Sequence, residues 1–255
     1  MGILNLTENS FYDGGKYNSL KSATSQTKKM IEEGANFIDV GVASSKPSSN
    51  LIKPVDEIEI LKPYLKHLLK EFPNTFFSVD TYNSEVAKMS LDLGVSMIND
   101  ISGGDLDSQM YTVVSSYMVP YVIMHMKGIP KTMQNSPSYN NIINEVSCFF
   151  NEKIQKAKIS GIHDLLIDPG FGFGKNINHN FILLNNLSLL NDLNCPIVVG
   201  VSRKSMIYRT LNCEPKEALN GSTASHAWCL ERGAKILRVH DVKEAKECIN
   251  LWTML

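Results

Sequence analysis

Short runs of apolar and β-branched residues recur eight times along the chain, separated by stretches of helical periodicity. Runs that are apolar at consecutive positions are typical of strands in a parallel sheet that helices cover. Eight such strands in a chain of 255 residues predict a (β/α)₈ barrel that forms one domain over residues 1–255. A doubly wound open sheet is the alternative. The predicted strands are 1–5, 36–40, 75–80, 95–99, 120–125, 164–168, 196–200 and 235–240. The predicted helices are 19–34, 52–70, 83–93, 139–160, 178–192, 215–232 and 242–252, with 105–118 as a further candidate.

Most of the predicted strands end in a polar residue. In a barrel the carboxyl ends of all strands meet on one face, where active sites form. One polar strand end is equally explained as a helix cap or a turn former, but complementary polar residues at most of the eight ends predict a binding site. These residues are Asn5, Asp80, Asn99, His125 and Asp168, then Ser202, Arg203 and Lys204 after the seventh strand, and Arg238 and His240 in the eighth.

The segment 164–175 is the most distinctive of these strand ends. Asp168 terminates an apolar run, and the proline after it prevents further strand pairing. Three glycines then alternate with Phe171 and Phe173 before Lys175. Glycines permit close backbone approaches, and two aromatic rings on a loop are unfavourable unless they cover something. The segment therefore predicts a carboxylate and an aromatic wall beside a ligand; an ordinary loop with a buried aromatic ring is the alternative.

Grouped by chemistry, the strand-end residues form three sets. Asp80, Asn99 and Asp168 suit the edge of an aminopyrimidine ring, because a carboxylate can accept two parallel N–H bonds. Asn5 introduces the polar first loop, and a carboxamide near phosphate groups can be a ligand of Mg²⁺. The third set follows strands seven and eight, where barrels most often bind phosphate; it comprises Arg203, Lys204, Arg238 and His240.

Each of these assignments has a structural alternative. Asp168 can cap a turn, and Lys204 can begin a helix in solvent. His240 can be a satisfied core histidine, and Asn5 can be a turn former at a strand end. Asp39 lies inside the second predicted strand. At this position it can pair with another residue of the barrel or contact a substrate, and the sequence favours neither.

Charge and composition restrict the class of partner. Lys and Arg number 25 against 26 Asp and Glu, and no long block of one sign occurs, which argues against general nucleic-acid or anionic-membrane binding. Five scattered cysteines indicate neither a disulfide framework nor a zinc site and fit a reducing, cytoplasmic compartment. No apolar run reaches membrane length, and the first residues lack the features of a signal peptide. We expect small-molecule substrates, with no nucleic acid and no membrane partner.

Ordered motifs extend along essentially the whole chain. They are MGILN (1–5), SF (10–11), DGG (13–15), IDVG (38–41), VDTY (79–82), INDISG (98–103), MHM (124–126), DPG (168–170), GFGK (172–175), SRKS (202–205) and RVHDV (238–242). In this order and spacing they resemble the dihydropteroate synthase family, the pterin-binding barrels of folate biosynthesis. So many ordered matches are specific for that family, whereas a single motif is only a hypothesis.

The resemblance implies a reaction and a set of site residues. Members of the family join 6-hydroxymethyl-7,8-dihydropterin diphosphate to 4-aminobenzoate, giving 7,8-dihydropteroate and pyrophosphate. By resemblance, the residues that bind the pterin are Asp80, Asn99, Met124, Asp168 and Lys204. The residues that bind the diphosphate are Arg238, His240 and, through Mg²⁺, Asn5. The residues that form the aminobenzoate site are Ser45, Pro47, Phe173 and Ser202. The counterparts of Asp13 and Lys46 help to close two loops over the leaving group, and with Lys204 and Arg238 they form the catalytic set.

The resemblance also carries three wider implications. Lys204, rather than Lys175, matches the functional lysine of the family. Members of the family are sulfonamide targets and form homodimers through late helices. The family commonly has a short segment before the first strand, whereas the first strand predicted here begins at residue 1.

Two loops depart from the family pattern. The family usually has Thr-Pro-Asp-Ser-Phe after the metal-binding asparagine and Gly-Gly-Glu-Ser-Thr-Arg-Pro in loop two, where this chain has TENSF (7–11) and GVASSKP (41–47). Loss of the proline loosens loop one, and a lysine in place of the arginine keeps the charge but not the planar two-pronged contact. The substituted positions are Glu8, Asn9, Val42, Ala43, Ser45 and Lys46.

These departures leave two alternatives to an active synthase. The first is a pterin-binding homologue with weak or lost synthase activity. The second is a related pterin-dependent methyltransferase that acts with a corrinoid partner, but the intact SRKS and RVHDV segments favour the diphosphate reaction.

Overall fold

Eight parallel strands form the centre of the molecule, in a computed structural model that describes residues 1–6, 19–42 and 51–255. The strands pair in chain order, and the ends of the sheet meet. The Ile3 amide donates to the Val239 carbonyl at 3.0 Å, and the Val239 amide donates to the Met1 carbonyl at 2.9 Å. This closure confirms the (β/α)₈ barrel and excludes the open sheet. The strands are β1 (Gly2–Asn5), β2 (Phe37–Gly41), β3 (Phe76–Asp80), β4 (Met97–Asp100), β5 (Tyr121–Met124), β6 (Leu165–Asp168), β7 (Ile197–Val199) and β8 (Ala234–Leu237).

Helices follow the strands and cover the outside of the barrel. Side-chain caps fix several helix starts: Ser19 accepts from the amide of Ser22, and Asn141 accepts from the amide of Asn144. None of the described helices is long and apolar enough to cross a membrane. The helices are α1 (Leu20–Glu32), α2 (Pro54–Glu71), α3 (Ser84–Asp92), α4 (Met110–Tyr117), α5 (Ile142–Ile159), α6 (Ile177–Asn185), α7 (Ser205–Tyr208), α8 (Leu219–Glu231) and α9 (Val242–Trp252).

Two predicted helices are interrupted in the structure. The predicted helix 178–192 becomes α6 and a 3₁₀ turn, Leu187–Leu193, because Asn186 leaves helical geometry with φ −108° and ψ 17°. The predicted helix 215–232 begins as a 3₁₀ turn, Pro215–Glu217, before α8. The apolar periodicity continues through both breaks, so it does not reveal them.

The two faces of each strand separate two parts of the core. Ile98, Ile123 and Ile167 belong to the large cluster between sheet and helices. The alternate residues point to the other face, because side chains along a strand alternate. At the amino end of the barrel these alternate residues form a small apolar cluster of Met1, Met97, Val122, Leu166 and Val198. Two residues further along β4, β5 and β6 the same inner face carries the predicted site residues Asn99, Met124 and Asp168.

Candidate active site

The polar strand ends lie together at the carboxyl end of the barrel. Sheet register pairs Asp80 with Asn99 and Met124 with Asp168. Asn5 is the last residue of β1. Asn5, Asn99, Met124 and Asp168 lie on the inner face two or four positions beyond Met1, Met97, Val122 and Leu166 of the small apolar cluster, because the strand period is two. The backbone therefore brings these predicted site residues together at one end of the barrel.

The proposed cations enter the same region from the loops after β7 and β8. Lys204 immediately precedes α7, and Arg238 immediately follows β8, which ends before both Arg238 and His240 rather than including them as predicted. Gly200 lies beside both side chains. A Cβ atom there would be in ordinary van der Waals contact, 3.8 Å from Lys204 Nζ and 4.0 Å from the Arg238 Cβ.

Arg238 bridges two carboxylates that come from different strands. Its Nε donates to Asp39 Oδ2 at 2.6 Å, and its Nη2 donates to Asp80 Oδ2 at 2.7 Å. Asn99 Nδ2 donates to the same Asp39 oxygen at 3.1 Å. Asp39 is fully buried, so of its two interpretations the structure shows a partner within the barrel. Burial alone would lower the pKa of Arg238, but the two carboxylates raise it above its usual value, and the guanidinium is charged.

Asp80 lies in an unusual electrostatic environment for a carboxylate. Burial raises its pKa to about 7; Arg238 acts against this rise, and the carboxylates of Asp39 and Glu57 add to it. Glu57 is itself fully buried, and its Oε2 accepts from Asn83 Nδ2 at 2.6 Å. The ionised form of Asp80 therefore depends on its ion pair with Arg238.

Asp168 and Lys204 form the second charged group of the site. Asp168 is 5% exposed, and its Oδ1 accepts from the Gly170 amide at 2.7 Å. Lys204 donates to the Phe171 carbonyl, and its Nζ lies 4.7 Å from the centre of the Phe173 ring. Burial raises the pKa of Asp168 and lowers that of Lys204 to about 8, while the opposite charge of each acts against the shift of the other. The bond from the Gly170 amide to Asp168 Oδ1 also holds the start of the glycine-rich segment against the end of β6.

An apolar wall adjoins these charged groups. Met124 and Phe173, which the sequence placed beside the two ring substrates, belong to one buried cluster with Tyr82, Ile101 and Met133. This cluster is separate from the main core and from the small apolar cluster at the amino end of the barrel. A flat heterocycle here would meet apolar side chains on its faces and polar groups at its edge, as small-molecule sites generally provide.

Ser202 connects the segments that follow the last two strands. It is almost completely buried, and its Oγ accepts from the His240 amide at 3.3 Å. The predicted aminobenzoate residue Ser202 therefore contacts the backbone of the predicted phosphate residue His240. The two proposed subsites are adjacent in the structure.

Arg203 does not join the phosphate-binding cations among which its position placed it. Its Nε and Nη2 donate to the two carboxylate oxygens of Asp241 at 2.7 and 2.9 Å. Its Nη1 donates to the carbonyls of Pro215 and Lys216 at 2.9 and 2.6 Å. The backbone at Arg203 has φ +53°, the left-handed region, although it is not a glycine. This almost completely buried guanidinium ties the loop after β7 to the start of α9, which is a structural role.

Asp100 is a residue of the site region whose role sequence reasoning missed. It is fully buried, and it accepts from Tyr121 Oη at 2.7 Å and from the amides of Ser102 and Gly104 at 2.7 and 2.8 Å. These bonds fold the loop that follows Asn99. The signal for this role was the INDISG motif itself, in which a carboxylate precedes a serine and glycine turn.

The remaining predicted site residues lie outside the described part of the chain. They are Asp13, Ser45, Lys46 and Pro47, together with the substituted loop positions Glu8, Asn9 and Ala43. Val42 is described, and it is buried in the main core. Asn5 is described and fits the implied Mg²⁺, because that ion favours oxygen ligands and is commonly held by few protein oxygens together with substrate phosphates and water.

Comparisons with known proteins give the same family as the motifs. A family model described as "Pterin binding enzyme" matches residues 1–240. The dihydropteroate synthase of Escherichia coli (strain K12) is 41% identical over 253 residues, covering 98% of this chain and 89% of that protein. A crystal structure of the Yersinia pestis dihydropteroate synthase with a sulfonamide drug complex has a TM-score of 0.95 and 38% identity, covering 100% of this chain and 92% of that one. The Xanthomonas albilineans dihydropteroate synthase with 4-aminobenzoic acid has a TM-score of 0.91 and 35% identity, covering 100% and 91%.

The similarity covers nearly the whole length of both chains and includes every strand of the barrel. By sequence, fold and the ordered motifs at its strand ends, this chain belongs to the pterin binding enzyme family and, within it, to the dihydropteroate synthases.

Proposed function

We propose that this protein is an active dihydropteroate synthase that condenses 6-hydroxymethyl-7,8-dihydropterin diphosphate with 4-aminobenzoate. One observation carries the proposal: the carboxylates of Asp80, 13% exposed, and Asp168, 5% exposed, lie on the inner face of the barrel beside an apolar wall and two cations. The carboxylates supply acceptors for a pterin edge, and the cations supply charge for a diphosphate. No step needs a covalent enzyme nucleophile.

The pterin ring would be held by its polar edge. Asp168 uses one oxygen for the Gly170 amide, and its other oxygen and lone pairs can accept N–H groups of the ring. Asn99 and Asp80 extend this acceptor edge, and Met124 supplies an apolar face. Lys204 adds a donor for the ring and offsets the charge of Asp168.

The diphosphate would be held by Arg238 and His240. The bonds to Asp39 and Asp80 use Nε and Nη2 of Arg238, and Nη1 carries two further N–H groups that can donate to a phosphate oxygen. Asn5 would hold Mg²⁺ together with the diphosphate, and when bound this ion neutralises charge on the departing pyrophosphate.

In the proposed reaction the bond between the pterin methylene carbon and the diphosphate oxygen breaks first. The electron pair leaves with pyrophosphate, whose developing charge Lys204 and Arg238 stabilise. Electron donation from the dihydropterin stabilises the cationic methylene. The 4-aminobenzoate nitrogen then forms the new C–N bond and releases one proton to solvent.

The aminobenzoate would lie against Phe173 and Ser202, with Ser45 and Pro47 completing the site by resemblance. Asp13 and Lys46 would act on the leaving group from the two loops. We further propose a cytoplasmic location and a homodimer. Exposed apolar side chains such as Trp228 in α8, which is 46% exposed, support the homodimer.

A two-substrate assay with and without Mg²⁺ tests the proposal. We expect equal amounts of pyrophosphate and dihydropteroate, and loss of both when Mg²⁺ is removed. Arg238→Lys should lower kcat/KM by about 10-fold to 100-fold, because a lysine lacks the planar, spaced nitrogens with which Arg238 reaches carboxylates on two strands. Arg232→Lys, a change at a partly exposed arginine at the end of α8, is the matched control and should leave kcat/KM unchanged. Absence of product with both substrates and Mg²⁺ would refute the proposal.

The second candidate function is pterin binding without turnover. The substitutions in loops one and two favour it, since the family's arginine is replaced by Lys46. It predicts heat of pterin binding in calorimetry, no dihydropteroate in the assay, and partial recovery of turnover in Lys46→Arg. Full activity in the unmodified protein excludes this candidate.

A further inference from the structure

Lys175, at the end of the glycine-rich segment, is a buried cation for which the proposed reaction has no use. It is only 2% exposed, and lysine is almost never this buried without partners. Its Nζ lies 2.8 Å from His125 Nδ1, 3.0 Å from the carbonyls of both Gly170 and Phe173, and 3.3 Å from the His125 carbonyl.

The contacts of Lys175 match the donors of an ammonium group. Such a group has three N–H protons, and the three shortest contacts are one ring nitrogen and two carbonyl oxygens. The charged form donates to all three, with a lone pair at His125 Nδ1 and the ring proton on Nε2. Burial lowers the pKa of Lys175 well below its usual value, and the Asp168 carboxylate acts against this shift. Burial, together with the charge of Lys175, lowers the pKa of His125 to about 2, so the ring is neutral.

The same cluster determines where the glycine-rich segment lies. Gly170 has φ +68°, and a Cβ atom there would be 2.0 Å from the His125 carbonyl oxygen. The backbone of the segment therefore packs directly against the end of β5. The carbonyls of Gly170 and Phe173 both accept from Lys175 Nζ, which also lies 3.3 Å from that His125 carbonyl, so the side chain holds the segment at the end of β5.

Two residues with proposed substrate contacts depend on that position. The Gly170 amide donates to Asp168 Oδ1, and its carbonyl accepts from Lys175. Phe173 carries the aromatic wall, and its carbonyl accepts from the same ammonium group. Lys175 also places a positive charge near Asp168 and so acts against the rise in the pKa of this carboxyl that burial causes.

We propose that Lys175, with His125 as its acceptor, is a positioning residue for the pterin and aminobenzoate sites: it joins the end of β5 to the glycine-rich segment and holds Asp168 and Phe173 in place. This inference rests on the proposed function, because it assumes that Asp168 binds the pterin. Lys175 acts through these two residues and contacts neither substrate.

Lys175→Met tests the role of the ammonium group, since methionine fills a similar volume without a charge or a donor. We expect the variant to bind 6-hydroxymethyl-7,8-dihydropterin diphosphate about 10-fold to 100-fold more weakly in calorimetry, the range for loss of hydrogen bonds from a charged group. The pKa that governs this binding should rise as the charge beside Asp168 is lost. A purely structural role would lower thermal stability without moving that pH profile.

Lys88→Met is the matched control. Lys88 lies in α3, is exposed, and donates to Asp92 and to the Tyr117 hydroxyl, away from the glycine-rich segment. We expect its pterin affinity and pH profile to equal those of the unmodified protein. A Lys175→Met protein that folds with unchanged affinity and an unchanged pH profile would overturn the inference.

If Lys175→Met does not fold, two substitutions at His125 test the positioning role of Lys175 instead. Asparagine can place its side-chain oxygen near the position of Nδ1, whereas leucine removes the acceptor. We expect His125→Asn to bind the pterin diphosphate nearly as well as the unmodified protein and His125→Leu to bind it at least about 10-fold more weakly. Equal binding by the two variants would overturn the inference. If the unmodified protein binds no pterin, the proposed function fails as well; if it does, only the role of Lys175 is at issue.

Discussion

The Asp39 carboxylate allows charge and hydrogen bonding in the site to be separated. Its Oδ2 accepts both from Arg238 Nε and from Asn99 Nδ2. Its Oδ1 accepts no hydrogen bond within the described residues. An asparagine can keep both bonds by placing its carbonyl oxygen where Oδ2 lies, whereas an alanine keeps neither. Asp39→Asn therefore removes mainly the charge, and Asp39→Ala removes the charge and the acceptor.

The burial of the two partners sets the size of the effect. Removing one partner of a buried ion pair costs about 3–5 kcal/mol. Because Arg238 is 18% exposed and keeps Asp80, we expect Asp39→Ala to lower the free energy of unfolding by about 3 kcal/mol, the lower end of that range. Asp39→Asn leaves one buried amide unsatisfied and should cost about 1–2 kcal/mol. For a chain of this length we expect Tm to fall by about 6–12 °C in Asp39→Ala and by about 2–8 °C in Asp39→Asn.

Chemical denaturation and calorimetry provide the two measurements. Asp39→Ala releases Arg238 and Asn99, so it should also weaken binding of the pterin diphosphate by about 10-fold or more. Asp39→Asn should keep the affinity within about 10-fold, because both bonds remain. The reasoning is refuted if Asp39→Ala is as stable and binds as tightly as the unmodified protein. It is also refuted if the two variants lose affinity equally.

Four further predictions concern neighbouring residues. Asp168→Asn should weaken pterin binding by about 10-fold to 100-fold in calorimetry, because an amide cannot accept two N–H bonds through two oxygens; unchanged affinity would contradict the role of Asp168. Pterin affinity should fall as pH is lowered from about 8 to 6, because the pKa of Asp80 is raised to about 7 and the protonated carboxyl loses an acceptor; an affinity independent of pH would exclude this. The same shift means that folded protein keeps a proton that the unfolded chain releases, so the contribution of Asp80 to stability decreases as pH rises from about 4 to 7. Gly170→Ala should lower Tm far more than Gly94→Ala, since both have positive φ but only at Gly170 would a Cβ meet a carbonyl, at 2.0 Å; equal losses in thermal melts would show that the close approach is not limiting.

The positions of the strands, and the end of the strands at which the candidate site lies, could be predicted because both depend on local sequence pattern. Apolar runs located all eight strands within a few residues, and β6 (Leu165–Asp168) ends at the carboxylate that the sequence indicated. The alternation of side chains then brings Asn99, Met124 and Asp168 onto one inner face without any knowledge of long-range contacts. For the same reason the polar set at the strand ends was a sound basis for a ligand site.

Contacts between distant segments could not be predicted. Arg238 meets Asp39 and Asp80 across 199 and 158 residues, and no local pattern pairs these side chains. Arg203 lies next to Lys204 in sequence, yet a left-handed backbone at φ +53° and the carboxylate of Asp241 direct it elsewhere. Adjacency along a loop does not determine which side chain enters a site.

The bridge made by Arg238 also bears on how the chain reaches its native state. During synthesis the carboxylates of Asp39 and Asp80 are made long before the guanidinium that compensates them, which follows the last strand. Contacts of such sequence separation form late and slowly. Until β8 docks against β1, the two acids have no counter-ion from this arginine, and the proposed pterin site that includes Asp80 is incomplete. Binding of a pterin ligand should therefore mark the final step of barrel assembly, and nascent chains that stop short of β8 should not be retained by an immobilised pterin.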